Sequence, residues 1–153
     1  MHSTIMRRPL LAFALAALTA TAACGDSTGP DEEDEPEIAA VLVTSGNTST
    51  TVPLNGAQSG TLSLRANQGN VLTFTVLGAN GLAEPVIGAH ASEYEIRLVQ
   101  GGTTRFTSTS TTHPYTGTFT AGAAGTQSYE LQVYSKEHGH VEFTRPLSVT
   151  IVP

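Results

Sequence analysis

Apolar and polar residues alternate with a period of two along much of this chain, and this pattern restricts the fold more than any other feature. In the segment VLTFTVL, the apolar residues Leu72, Phe74 and Val76 share one face and threonines occupy the other. Such alternation is typical of β-strands with one buried face, so residues 38–153 are predicted to form an all-β domain. The same pattern recurs in three later segments, whose apolar faces are Tyr94, Ile96 and Leu98; Tyr129, Leu131 and Val133; and Leu147, Val149 and Ile151.

Turn signals separate these segments, and weaker strand patterns lie among them. Glycine-rich and asparagine-rich stretches such as LGANG, QGG and AGAAG interrupt the alternation, as tight turns do. The weaker patterns occur at residues 40–44, 61–66, 103–109 and 117–120. About seven to eight short strands with turns between them are typical of an antiparallel β-sandwich. The sequence therefore predicts a single sandwich domain, of a length that suits one core.

Two longer stretches are similar to bacterial immunoglobulin-like domains of the group-2 type. The first is ANQGNVLTFTVLGANG, a glycine turn leading into a long strand, and the second is GTFTAGAAGTQSYELQVY, two strands joined by an alanine–glycine turn. The resemblance implies an immunoglobulin-like sandwich over residues 38–153, in a protein that bacteria secrete or display. Cys24 is the only cysteine, so the disulfide of antibody domains is not expected.

The first 23 residues have the features of a secretory signal. Arg7 and Arg8 form a short basic start, the apolar run LLAFALAAL follows, and small residues precede Cys24. A basic start, an apolar run and a small-residue cleavage site are the three parts of a signal peptide. The apolar run is too short to cross a hydrocarbon core about 30 Å thick. We therefore expect residues 1–23 to be removed by cleavage.

The residues around Cys24 resemble the lipobox of bacterial lipoproteins. Thr21, Ala22 and Ala23 precede the cysteine. The resemblance implies that Cys24 is lipidated, becomes the new N-terminus and anchors the protein to a membrane of the bacterial cell envelope. Gly25, in place of an aspartate, implies placement in the outer membrane. The alternative is ordinary cleavage that leaves Cys24 as a free thiol, which would be prone to oxidation in an oxidising compartment.

Seven acidic residues and no basic residue lie between Gly25 and Glu37, in the stretch GDSTGPDEEDEPE. Because this stretch has no large apolar side chain, it cannot bury enough surface to offset the entropy of ordering. We expect residues 24–37 to form an extended tether; the alternative is an acidic tail that binds calcium or a partner. The chain from Ile38 onward has six acids and five bases. Its near neutrality argues against nucleic acid as a partner.

All four histidines of the predicted domain fall in connections between predicted strands. His90 precedes the segment that begins at Tyr94, His113 lies in THPYTG, and His138 and His140 flank one glycine in YSKEHGHVEF. In immunoglobulin topology, the three connections that contain them emerge at one end of the sandwich. The resemblance therefore implies that the four imidazoles gather at that end and that no histidine falls on a strand.

Imidazoles gathered in this way are candidate ligands for Zn²⁺ or Cu²⁺. His138 and His140 are two residues apart, so their side chains point to the same side wherever the backbone is extended. Glu137 and Glu142 are further carboxylates within reach along the sequence. The alternative is a polar turn whose exposed histidines bind nothing. The candidate metal ligands are His90, His113, His138, His140 and Glu93.

The sequence contains no motif that indicates catalysis. It lacks a Gly-x-Ser-x-Gly stretch, a glycine-rich phosphate loop and a recognisable nucleophile–histidine–acid arrangement, so we predict that the protein is not an enzyme. The leading hypothesis is a monomeric, lipid-anchored envelope protein whose sandwich presents loops to an unknown protein or glycan partner. The alternative hypothesis is an envelope protein that binds zinc or copper(II) through its loop histidines.

Overall fold

The computed structural model of the protein describes residues 35–153, and the predicted all-β fold is confirmed there. The predicted signal peptide, Cys24 and most of the predicted tether lie outside the described residues. A short helix, α1 (Pro85–Ala89), and a 3-10 turn (Ala91–Glu93) lie between β4 and β5. The strands are β1 (Ala40–Ser45), β2 (Thr48–Pro53), β3 (Ser59–Arg65), β4 (Gly69–Leu77), β5 (Tyr94–Gln100), β6 (Thr103–Thr107), β7 (Tyr115–Thr120), β8 (Gly125–Ser135) and β9 (His140–Val152).

The strands form two layers around one core. The first layer has the spatial order β2-β1-β4-β7 and the second has the order β6-β5-β8-β9, with antiparallel pairing throughout each layer. Buried side chains from both layers belong to a single hydrophobic cluster. Burial of apolar area on both inner faces is the main stabilising term for such an arrangement.

Strand β3 belongs to both layers. Its residues 59–61 pair antiparallel with β2, whereas residues 62–65 run parallel to the end of β9. On the opposite side, the segment after β6 bonds to β5 of the second layer and to β7 of the first. The Ser108 amide donates to the Ile96 carbonyl in β5, and the Thr109 amide donates to the Thr116 carbonyl in β7, both at 2.9 Å. The layers are therefore joined on both sides, as in a flattened barrel.

The alternating segments bury the faces that the sequence predicts. All apolar residues named for β4, β5, β8 and β9 are at most 5% exposed. A chain of aromatic contacts crosses between the layers through Phe74, Phe106, Phe119 and Tyr129, with ring centroids 5.6, 6.0 and 5.5 Å apart in that order. These rings connect β4 and β7 of the first layer with β6 and β8 of the second. Offset and edge contacts of this kind add to the stabilisation from burial.

The fold differs from the prediction in three respects. There are nine strands instead of seven to eight, because β2 has the sequence TSTTVP and shows no apolar alternation. Its Thr50 is nonetheless buried, and its hydroxyl donates to the Ser59 carbonyl at 2.8 Å, which makes burial tolerable. The β3–β9 pair is parallel in an otherwise antiparallel arrangement. The connection before β5 contains α1, which is too short to show helical periodicity.

Within residues 35–153, no helix is long and apolar enough to span a bilayer.

Candidate metal site and the adjoining pocket

A four-residue turn joins β8 to β9 and positions two histidines. The Gly139 amide donates to the Ser135 carbonyl at 3.0 Å, and the His138 amide donates to the Ser135 hydroxyl at 3.2 Å. Ser135 is 1% exposed, so these two bonds anchor the turn to the core. Gly139 has φ +70°, which closes the turn and favours glycine. His138 is thereby held beside His140.

The two imidazoles lie side by side. Their ring centroids are 5.6 Å apart, and their planes differ by only 12°. His140 is the first residue of β9 and pairs with Ser135 of β8. The prediction that no histidine falls on a strand is therefore wrong for His140. The error arises because β9 begins seven residues before the alternation that marks it in the sequence, and its first residues are exposed.

A register shift in the β8–β9 pair brings a carboxylate to the imidazoles. Val133 lies opposite Phe143, but the next pair is Tyr134 with Val141, so Glu142 is an extra residue in β9. Bulges of this kind redirect a side chain and often occur beside functional sites. Here the Glu142 Oε1 lies 2.9 Å from the His140 Nε2. The Glu142 side chain is only 14% exposed, so the carboxylate is held in place by its surroundings.

His138, His140 and Glu142 form a group that could hold a metal ion; we call it the metal group. One ligand atom from each residue lies within 4.8 Å of the other two. In a tetrahedral zinc site with bonds of about 2.0–2.1 Å, neighbouring ligand atoms are about 3.3 Å apart. Small side-chain rotations would bring the present separations to this distance. His140, with 54% of its side chain exposed, has room for such a rotation.

Helix α1 forms the opposite wall of a pocket next to the metal group. Glu84 caps the helix, because its Oε2 accepts from the Ile87 amide at 2.7 Å, and Ile87 anchors the helix in the core. His90 follows the helix, and its Nδ1 lies 3.2 Å from the Glu93 Oε1. The Lys136 amide donates to the Glu93 carbonyl at 2.7 Å. This bond ties the wall to the β8–β9 turn.

The pocket has a volume of about 330 Å³ and contains several of the predicted ligands. His90, Glu93 and His138 line it as the sequence analysis expects, and Glu142 of the metal group lines it too. His90 and Glu93 do not belong to the metal group itself. The lining also includes residues that the sequence did not indicate as part of a site, namely Glu35, Pro36, Pro85, Val86, Ala89 and Tyr94.

His113 has a different position from the other candidate ligands. It is in neither the metal group nor the pocket lining, and its Nε2 accepts from the Val76 amide at 2.9 Å. That bond occupies the lone pair that a metal would need. Burial lowers the pKa of His113, and the Glu84 carboxylate acts in the opposite direction. Its ring also contacts Tyr115, a fully buried residue whose hydroxyl donates to the Ala91 carbonyl at 3.1 Å.

Fold and site together define an all-β domain that carries, at one end of its longest hairpin, a His–His–Glu group that could hold a metal ion. The sequence matches no protein-family model, and no curated protein and no solved structure is significantly similar to it.

Proposed function

We propose that this protein is a non-catalytic, lipid-anchored protein of the bacterial cell envelope that binds Zn²⁺ or Cu²⁺ at the metal group. The observation that carries the proposal is the convergence of two imidazoles and one carboxylate within 4.8 Å of one another. Two nitrogen ligands and one oxygen ligand suit both ions. Contact with a protein or glycan partner, the leading hypothesis from sequence, stays a prediction for the remaining surface.

The physical setting favours a metal over a simple polar turn. The His140–Glu142 contact at 2.9 Å orients one imidazole, and the stacked arrangement places the second beside it. The turn that carries them is anchored by Ser135, so the backbone beneath the two imidazoles loses little freedom on binding a metal. Preorganisation of this kind raises affinity.

Titration of the purified protein with each ion tests the proposal. The protein should carry Cys24→Ser, because a free thiol would compete for the metal. We expect a sub-micromolar dissociation constant and one ion per chain by calorimetry. In the double variant His138→Ala/His140→Ala we expect affinity to fall at least about 100-fold, which exceeds the usual effect of losing a residue that only orients a ligand. Glu142→Gln should weaken binding less than the double variant does.

His90→Gln is the matched control, since His90 is also an exposed histidine of the pocket but lies outside the metal group. Its affinity should equal that of the parent protein within about twofold, because this change removes none of the three ligands. Equal loss of affinity in His90→Gln and in the double variant would contradict the assignment of the ligands. Absence of binding by the parent protein would contradict the proposed function.

The lipid anchor is part of the same proposal and is supported by the sequence around Cys24. Glu35 and Pro36 line the pocket, and Glu35 lies eleven positions after Cys24. A fully extended chain of that length spans at most about 37 Å. An anchored protein would therefore hold its metal group close to the membrane. Incorporation of labelled palmitate, together with partition into a detergent phase, tests the anchor, and Cys24→Ser should abolish both.

A further inference from the structure

The metal group forms one part of the wall of a much larger space. His138 and Glu142 both line the pocket of about 330 Å³. Pockets for small organic molecules have volumes of about 300–1,000 Å³, whereas a single ion with one water fills only a small fraction of such a space. A metal bound at this group would leave most of the pocket empty. The pocket is therefore larger than metal binding alone requires.

The other walls offer two kinds of surface. Pro36, Val86 and Tyr94 provide apolar surface, and Tyr94 is 5% exposed, so this wall is firmly packed. The His90–Glu93 pair provides a polar corner. A concave site with mostly apolar walls and a few convergent polar groups is the usual form of a small-molecule site.

A zinc ion bound at the metal group could take one further ligand. Zinc takes four ligands in its usual tetrahedral sites, and the metal group supplies three. His140 has an exposed side chain and is not part of the lining, whereas His138 and Glu142 line the pocket. A metal held by these residues would therefore border the pocket, and a fourth ligand could approach it from there.

We propose that the pocket binds a small organic ligand that coordinates the protein-bound metal through one nitrogen or oxygen donor and places an apolar body against Pro36, Val86 and Tyr94. The proposal rests on the proposed function, because the metal provides the polar anchor of the ligand. The structure thereby assigns this protein a ligand of defined chemistry, namely a compact molecule with a metal-coordinating end and an apolar end.

Imidazole and 4-phenylimidazole are suitable probes because they share the coordinating nitrogen and differ in an apolar ring. The protein with Cys24→Ser is first loaded with Co²⁺, whose visible absorption bands respond to a change of ligands. Each probe is then titrated and the bands are followed. We expect 4-phenylimidazole to bind about tenfold more tightly than imidazole, because its phenyl ring would leave water for the apolar wall.

A pocket-filling variant separates this effect from metal affinity. Ala89 is an exposed residue of the pocket lining, so Ala89→Trp should fill part of the space without disturbing the core. We expect it to bind Co²⁺ and imidazole as the parent protein does and to lose the preference for 4-phenylimidazole. Leu82→Trp is the matched control, since Leu82 is 67% exposed and is not part of the lining. It should keep the tenfold preference.

The outcomes distinguish this inference from the proposed function. If the protein takes up the metal but binds both probes equally, or if Ala89→Trp keeps the full preference, the inference about an organic ligand is overturned and metal binding stands. If the protein binds neither Zn²⁺ nor Cu²⁺, the proposed function is overturned and the inference falls with it. A tenfold preference that is lost only in Ala89→Trp supports both.

Discussion

Replacement of Gly139 by alanine tests whether the turn between β8 and β9 is held in a conformation that only its glycine adopts readily. Gly139 has φ +70°, and a side chain in this left-handed region costs roughly 1–2 kcal/mol. An added Cβ would meet only the Tyr134 hydroxyl, at 3.9 Å, which is an ordinary contact. The whole penalty is thus conformational. We expect Gly139→Ala to lower the free energy of unfolding by about 1 kcal/mol, and Gly139→Asn to lower it by less because asparagine tolerates this region.

Urea unfolding of the metal-free protein measures this effect. Gly122→Ala is the matched control, since Gly122 has no positive φ and an added Cβ there would meet nothing within 4 Å. Its free energy of unfolding should change by less than about 0.5 kcal/mol. The difference between the two variants then isolates the backbone conformation at Gly139 from general effects of alanine on the unfolded chain.

The same change should affect metal binding. If the turn relaxes to accommodate the new side chain, His138 and His140 move apart, and restoring their separation costs part of the binding free energy. About 1 kcal/mol corresponds to roughly a fivefold loss of zinc affinity. A Gly139→Ala protein as stable as the Gly122→Ala control, with unchanged zinc affinity, would refute the reasoning that this turn positions the metal group.

Three further predictions concern the core, the pH response and the helix beside the pocket. Gly117→Ala should lower the free energy of unfolding by about 1–3 kcal/mol, because its Cβ would lie 2.7 Å from the packed Phe106 ring. The same change should cost less in a chain that already carries Phe106→Leu. An equal cost in both backgrounds, measured by urea unfolding, would contradict the steric cause. The pKa of folded His113 lies below its ordinary value of 6.5. As pH falls through about 6.5, the unfolded chain therefore takes up a proton at His113 before the folded chain does. The free energy of unfolding should fall over this range until folded His113 is protonated too. Unfolding measured from pH 8 to 5 should show a weaker decline in His113→Gln, and parallel profiles would exclude His113 as the cause. Glu84→Ala should cost about 1 kcal/mol by removing the cap on the Ile87 amide, and chemical denaturation showing no loss would argue against the cap.

The candidate site could be anticipated from sequence only in part. His138 and His140 are visible as a pair because one glycine separates them, and their proximity is a local property of a short turn. Their association with Glu142 depends on the register shift in β8–β9, which no local pattern reveals. His113 looks equivalent to the other loop histidines in sequence. The structure engages its Nε2 with the Val76 amide, a contact across 37 positions of the chain.

What the sequence by itself determined is the class of the fold and the faces of its strands. Alternation with a period of two follows from strand geometry, so Leu72, Phe74 and Val76 could be assigned to the core without coordinates. Strand β2 could not be predicted in this way, because its buried Thr50 is polar. The hydroxyl of Thr50 is satisfied by the Ser59 carbonyl, which lies beside it only when β3 pairs with β2.

Only the tertiary structure decided which functional groups meet. The pocket combines the N-terminal segment at Pro36, the helix at Val86, the pair His90–Glu93 and the β8–β9 hairpin. The N-terminal segment, the helix with the His90–Glu93 pair that follows it, and the hairpin are far apart in sequence. Their contacts depend on how the two layers pack and on the bond from the Lys136 amide to the Glu93 carbonyl. Local periodicity reports which way a side chain faces along its own strand. It carries no information about which distant segment lies opposite that side chain, because this depends on how the whole chain packs.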